Sequence, residues 1–206
     1  GGDSLNVVDL GCGDGRKACQ VMKYLKGKNK LRYCPIDISG YMVSKAIETA
    51  QKTKIAEVVE FRYNISDFEN LDNLTPLLTN GEYQKNLFLL LGNTLGNFEV
   101  NDMLYQIRSG MNNGDLLLIA TGIDDYKGDA RAIAYKNNKM WHHWLGLLIG
   151  QLGLSQSEVQ LDARFANKRI EMFYILKKDK TIEFLGKKVE FKKGDEIVVL
   201  VAYKHD

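Results

Sequence analysis

The residues whose types and spacing could carry chemistry begin at Asp9-Leu10-Gly11-Cys12-Gly13-Asp14-Gly15, with glycines at alternate positions, one acid ahead of them and one among them. Glycines let a backbone approach a ligand with no side chain in the way. A dinucleotide site spaces its glycines G-x-G-x-x-G, so that a pyrophosphate meets the first turn of a helix. Here the spacing is G-x-G-x-G, and carboxylates at Asp9 and Asp14 would repel a pyrophosphate. A Walker loop is excluded because no G-K-[ST] follows. The turn instead suits a ligand with no phosphate and a free amine, and S-adenosylmethionine is such a ligand.

Two further signals each follow a strand-like run. Asp37 stands about twenty residues beyond the turn, where an acid accepts hydrogen bonds from ribose hydroxyls. Asp67-Phe68 comes later: the acid could accept from an adenine amino group, and the ring could cover the base. With Gly11 and Gly13, these residues form the expected cofactor site.

The elements that must position them alternate. Leu5–Leu10 is a short apolar run ending in glycines, as in a buried parallel strand. Ala18, Val21, Met22 and Leu25 follow at helical spacing, closed by Gly27. Leu31–Ile38 reads as a second strand, and Ser39 can cap a helix carrying Met42, Val43, Ala46, Ile47 and Ala50. Further strands are expected at Val58–Tyr63, Asn86–Leu91 and Leu116–Thr121, with a helix through Leu104, Ile107 and Met111 capped by Asn101. Repeated strand–helix units with apolar strands predict an α/β fold, a doubly wound parallel sheet with helices on both faces. The last third differs. Ala130–Leu152 reads as one long helix, followed by strand-like runs at Arg169–Leu176, Thr181–Phe184, Val189–Phe191 and Ile197–Tyr203, an antiparallel C-terminal elaboration.

Composition narrows the function. With 206 residues and 45% hydrophobic residues the chain can build a core. A net charge of +2 with intermixed signs argues against a nucleic-acid partner, which requires a clustered basic face. Three cysteines without a close Cys-x-x-Cys pair predict reduced thiols and a cytoplasmic location. The three histidines have no cysteine or carboxylate at metal-site spacing, so no metal is expected. No apolar run has membrane-spanning length, so no membrane partner is expected either. The chain enters its first strand almost at once, and an N-terminal region is expected to be missing.

The segments "DLGCGDGRK", "YCPIDISGYMVSKA", "LLLGNTLGNF", "AIAYKNN" and "RIEMFYILKK", in that order, resemble the histidine-specific N-alpha-methyltransferases of ergothioneine biosynthesis and their relatives. The resemblance spans nearly the whole chain, and "DISGYM" followed by "GNTLGN" is its most specific part. It implies a Rossmann-like S-adenosyl-L-methionine-dependent methyltransferase with a smaller substrate domain. The expected division is a cofactor-binding core over residues 1–124, a helical and antiparallel substrate-binding insertion over 125–196, and a final strand over 197–206 returning to the core sheet. Carried over by position, the resemblance implies that Gly11, Gly13 and Lys17 line the methionine end of the cofactor. Asp37 then takes the ribose, and Asp67 with Phe68 takes the adenine. Asn97 and Tyr135 would hold the amino-acid head group of a small-molecule acceptor. No catalytic residue is assigned, because a sulfonium methyl is already electrophilic.

Two positions depart from the family. Its histidine enzyme presents a glutamate and a serine from the final strand to the imidazole, and the aligned positions here are Leu200 and Ala202. A buried imidazole left without partners costs about 1–3 kcal/mol, so a more apolar acceptor is favoured there. "MWHHW", Met140–Trp144, could face the acceptor, or could pack its tryptophans inward and leave His142 and His143 in solvent. Two other readings stay open: a methyltransferase with a protein or RNA acceptor, and a cofactor-binding module without catalysis.

Overall fold

The computed structural model describes residues 4–60, 64–67, 71–121 and 129–203. The chain divides into two compact units, residues 1–122 and 123–206.

In the first unit, β1 (Ser4–Leu10), β2 (Lys30–Ile36), β3 (Glu57–Val58), β4 (Lys85–Leu91) and β5 (Leu116–Ala120) form a parallel sheet in the order β3-β2-β1-β4-β5. Between them run α1 (Arg16–Leu25), α2 (Gly40–Thr53), α3 (Leu71–Leu78) and α4 (Val100–Ser109). Side chains alternate across a strand. Val7, Tyr33, Leu87 and Leu89 therefore pack with Ala18, Cys19 and Met22 of α1 and Val43, Ala46 and Ala50 of α2. Val8, Ile36, Phe88 and Leu90 pack on the other face with Leu71 and Leu74 of α3 and Met103 and Ile107 of α4. The sheet is the expected doubly wound one.

Local chemistry sets the element ends. Ser39 caps α2 as expected, its hydroxyl accepting from Met42 N. The expected Asn101 cap is corrected: Glu99 caps α4 and accepts from the backbone N–H of Asn101 and Asp102. The strand expected over 58–63 ends at Val58 among the described residues. Helix α3 carries Pro76 in its second turn and was not expected from the sequence.

At the amino end of the sheet lies a buried polar network. Asn6 Nδ2 donates to Asn86 Oδ1 at 2.9 Å and to Leu78 O at 3.1 Å, and Arg32 Nε donates to Asn6 Oδ1 at 2.7 Å. Its groups are mutually satisfied, which is what makes such a network tolerable in a core.

The second unit begins with α5 (Asp129–Lys136) and α6 (Lys139–Gln151). The single long helix expected here is broken because Asn138 caps α6, its side chain accepting from Met140 N at 2.9 Å. Strands β6 (Val159–Ala166), β7 (Arg169–Leu176) and β10 (Glu196–Tyr203) form an antiparallel sheet in the order β10-β7-β6, and β8 (Lys180–Phe184) pairs with β9 (Lys187–Phe191). The core joins Ala132, Leu145 and Ile149 of the helices to Ile170, Met172 and Tyr174 of β7. Within the second unit β10 is an edge strand, running antiparallel to β7 from Glu196 opposite Ile175 to Tyr203 opposite Arg169.

Among the described residues no helix is long and apolar enough to cross a membrane. None of their His, Cys, Asp and Glu side chains form a group of three or more that could hold a metal ion.

Candidate active site

Strand order reverses between β1 and β4, and in open α/β sheets such a reversal opens a crevice at the carboxyl edge. The glycine turn sits there. Gly11 N and Cys12 N both donate to Ile36 O, at 2.9 and 3.0 Å, pinning the turn to the end of β2. Gly11 has φ of 68°, and a Cβ there would stand 2.6 Å from Thr94. Gly13 has φ of 52° with open space above it.

Asp37 is fixed by the backbone. Gly13 N donates to its Oδ2 at 3.2 Å and Ser39 N to its Oδ1 at 2.9 Å. An ionised carboxylate has about four lone-pair sites, so each oxygen can still accept another donor. Asn64, which sequence reasoning missed, supports this loop. Its side-chain amide donates to Pro35 O at 2.8 Å, and its backbone carbonyl accepts from Asp37 N at 3.0 Å. The reason lies in β2. Tyr33 O faces β3, where it accepts from Val59 N, so Pro35, two residues on, faces the same side. Proline has no N–H to extend that ladder, and Asn64 takes over where β3 ends.

Two cavities open from this edge. One, of about 310 Å³, is lined by Asp9, Gly11, Gly13, Lys17, Thr94 and Asn97, among others. The other, of about 720 Å³, is lined by Ile38, Ile65, Ser66, Asp67 and Leu77, among others. Asp37 links them: its carboxylate holds Gly13 of the first, and its carbonyl accepts from Ser66 N of the second at 3.1 Å. Asn97 closes the short 3-10 turn Thr94–Asn97 after β4, and its exposed side chain has no hydrogen-bond partner among the described residues. Phe68 lies outside the described residues.

Asp9 is 3% exposed, and Tyr33 Oη donates to its Oδ2 at 2.7 Å. Burial pushes the Asp9 carboxyl up to about 6; the Tyr33 hydrogen bond opposes this, the Asp37 charge adds to it, and Lys17 opposes it. Lys17 directs its Nζ over Gly92 at the end of β4. Asp14 also lines the first cavity, and its exposed carboxylate pairs with Arg16 at 2.5 Å. Of the two acids, Asp9 is the buried one. Burial raises the Cys12 thiol, with the Asp9 and Asp37 charges adding to the effect, and burial pushes Cys34 up to about 12. Neither thiol is primed as a nucleophile.

In the second unit, Tyr135 stacks on Trp141 with ring centroids 6.0 Å apart and planes 10° from parallel. A bulge between Val198 and Leu200 resets the register, so Leu200 lies opposite Met172 and Ala202 opposite Ile170. Directly opposed residues share a face. Leu200, Ala202 and Tyr135 thus border one apolar cluster, each half-buried. In "MWHHW" Trp141 packs inward while Trp144 and both histidines are exposed, so the inward packing expected of both tryptophans holds for one.

The family described as histidine-specific methyltransferases, SAM-dependent, matches residues 2–206. The chain belongs to that family. The methyltransferase therefore uses S-adenosyl-L-methionine. The residues present fit that cofactor, which brings no phosphate toward the Asp9 and Asp37 carboxylates. No curated protein matches the chain. Among solved structures it is similar to a SAM-dependent methyltransferase from Aquifex aeolicus, with 16% identity, a TM-score of 0.41, and 78% of this chain and 74% of that one covered. It is also similar to an rRNA-methylase candidate from Clostridium thermocellum, with 12% identity, a TM-score of 0.36, and 96% and 88% covered.

Proposed function

We propose that this methyltransferase acts on the alpha-amine of an amino acid or an amino-acid-derived small molecule. Asp9, Gly11, Gly13 and Lys17 hold the methionine end of the cofactor, Asp37 the ribose, and Asp67 with Phe68 the adenine. Asn97 and Tyr135 hold the acceptor's head group, and Leu200 and Ala202 meet its side chain. The observation that carries the reading is Asn97 lining the same 310 Å³ cavity as Asp9, Gly11, Gly13 and Lys17. An exposed amide beside the methionine-end residues can both donate to a carboxylate and accept from an amine.

The bound cofactor supplies an electrophilic methyl on a sulfonium, which leaves the protein the work of positioning. Asn97 and Tyr135 orient the amine, which must be neutral and in line with the methyl–sulfur bond at about 3–3.5 Å. The amine's proton leaves to solvent, so no general base is assigned. The half-buried apolar surfaces of Leu200 and Ala202 support an acceptor side chain less polar than imidazole.

Isothermal titration of the full-length protein, saturated with S-adenosylhomocysteine, against a panel of free amino acids tests this. One or more amino acids with apolar side chains are expected to bind more tightly than histidine. If no free amino acid binds, the acceptor reading fails.

A further inference from the structure

Among the described residues of the first unit Tyr33 is the largest side chain fully removed from solvent, and its hydroxyl donates to Asp9 Oδ2 at 2.7 Å. We propose that Tyr33 is a positioning residue for the cofactor: its buried hydroxyl holds the Asp9 carboxylate charged and aimed beneath the glycine turn, where it meets the cofactor's ammonium. The inference rests on the placement of Asp9 at the methionine end given above, and is independent of which acceptor is methylated.

Asp9 lies on the α1/α2 face of the sheet, at the end of a layer made of Val7, Met22, Val43 and Leu89. An unpaired carboxylate there would take a proton rather than stay charged. The groups acting on it are Tyr33 from β2, Asp37 from the loop after β2, and Lys17 from α1, and the residues that β4 and α2 bring to this layer, such as Leu89 and Val43, are apolar. Cys12 of the turn and Cys19 of α1 lie on the same face, but their thiols are pushed upward and stay neutral, while Cys34 of β2 packs on the opposite face. Asp37 opposes the charge, so Lys17 and Tyr33 must sustain it. Lys17 acts through space from α1, whereas Tyr33 makes the direct bond on the adjacent strand. Burial also raises the phenol far above its ordinary range, with the Asp9 charge adding to it, so Tyr33 remains a donor at every working pH.

The test compares S-adenosylhomocysteine, which carries the ammonium, with 5′-methylthioadenosine, which lacks the amino-acid moiety, by titration across pH 5 to 9 on the full chain. Wild-type affinity for S-adenosylhomocysteine is expected to fall as pH drops through about 6, with methylthioadenosine unaffected. In Tyr33→Phe the midpoint is expected to rise by about one pH unit, since a hydrogen bond to a charged group is worth about tenfold in proton affinity. The loss in S-adenosylhomocysteine affinity is then about fivefold at pH 6 and vanishes near pH 8.5. In an Asp9→Asn background Tyr33→Phe is expected to have no further effect. Replacing Tyr33 by 3,5-difluorotyrosine, an isosteric and stronger donor, moves the midpoint the other way, and keeps the test available if Tyr33→Phe fails to fold. A pH-independent loss in Tyr33→Phe, equal for both ligands, would make Tyr33 merely structural and overturn the inference alone. Unchanged S-adenosylhomocysteine binding in Asp9→Asn would overturn the Asp9 placement with it.

Discussion

Asp9→Asn should stabilise the folded protein at neutral pH while weakening its hold on the cofactor. A carboxyl that ordinarily ionises at 3.8 and is pushed up to about 6 in the fold is a charge the fold disfavours. Between those values the native state binds more protons than the unfolded chain, so stability falls as pH rises through the window. Above about 6 the full penalty applies, about 3 kcal/mol for a rise of this size. Asparagine keeps an oxygen to accept from Tyr33 and removes the charge, but its NH₂ must find a partner at a cost of about 1–3 kcal/mol. The net effect at pH 8 is expected to be a modest gain, and at pH 4.5 the charge contribution shrinks to about 1 kcal/mol. Urea denaturation of both proteins at the two pH values measures the difference, in which the pH-independent amide term cancels. The variant's stability relative to wild type should be better at pH 8 than at pH 4.5 by about 2 kcal/mol. The same relative stability at both values would refute a raised Asp9. This would be a binding residue retained against stability, a trade common where sites need buried charge.

Other perturbations separate the site from the scaffold. Asp37→Ala releases two backbone N–H groups and the link between the cavities, and should weaken S-adenosylhomocysteine binding by more than about tenfold in a titration, with the far-ultraviolet spectrum unchanged. Gly11→Val forces a β-branched residue to φ of 68° against Thr94, and thermal denaturation should show a loss of about 1–3 kcal/mol together with lost cofactor binding. Asn6→Ala strips partners from Arg32 and Asn86 at the opposite end of the sheet. It should cost about 2–3 kcal/mol in urea denaturation while leaving S-adenosylhomocysteine affinity unchanged at temperatures where the variant is folded.

The parallel sheet was legible because its strands are short apolar runs separated by helices with clear apolar stripes, as with Ala46 and Ala50 of α2. Helix α3 was hidden by Pro76 and by Asp72 and Asn73, residues that read as a turn until Leu71, Leu74 and Leu78 find a sheet to pack on. Strand β6 carries Asp162 and Arg164 among its apolar residues; Arg164 pairs with Glu171 across the ladder, a partner that exists only once β7 is alongside. The cofactor turn was readable because glycine spacing is local. The Tyr33–Asp9 bond was not, since it depends on the register of β1 against β2. The support that Asn64 gives Asp37 follows from a strand ending early beside a proline, which the apolar run through Val58 and Val59 did not announce. The bulge after Val198 decides which face Leu200 and Ala202 share, and a one-residue irregularity leaves no mark in alternating apolar residues.

The central claim is transfer of a methyl group to an amino-acid nitrogen. The most direct measurement is mass spectrometry of free amino acids incubated with the full-length protein and S-adenosyl-L-methionine carrying a deuterated methyl. The account predicts a labelled methyl on the alpha-nitrogen of an amino acid, abolished by Asp37→Ala and strongly reduced by Asn97→Ala. Label found only on protein or RNA, with every free amino acid unmodified, would contradict it.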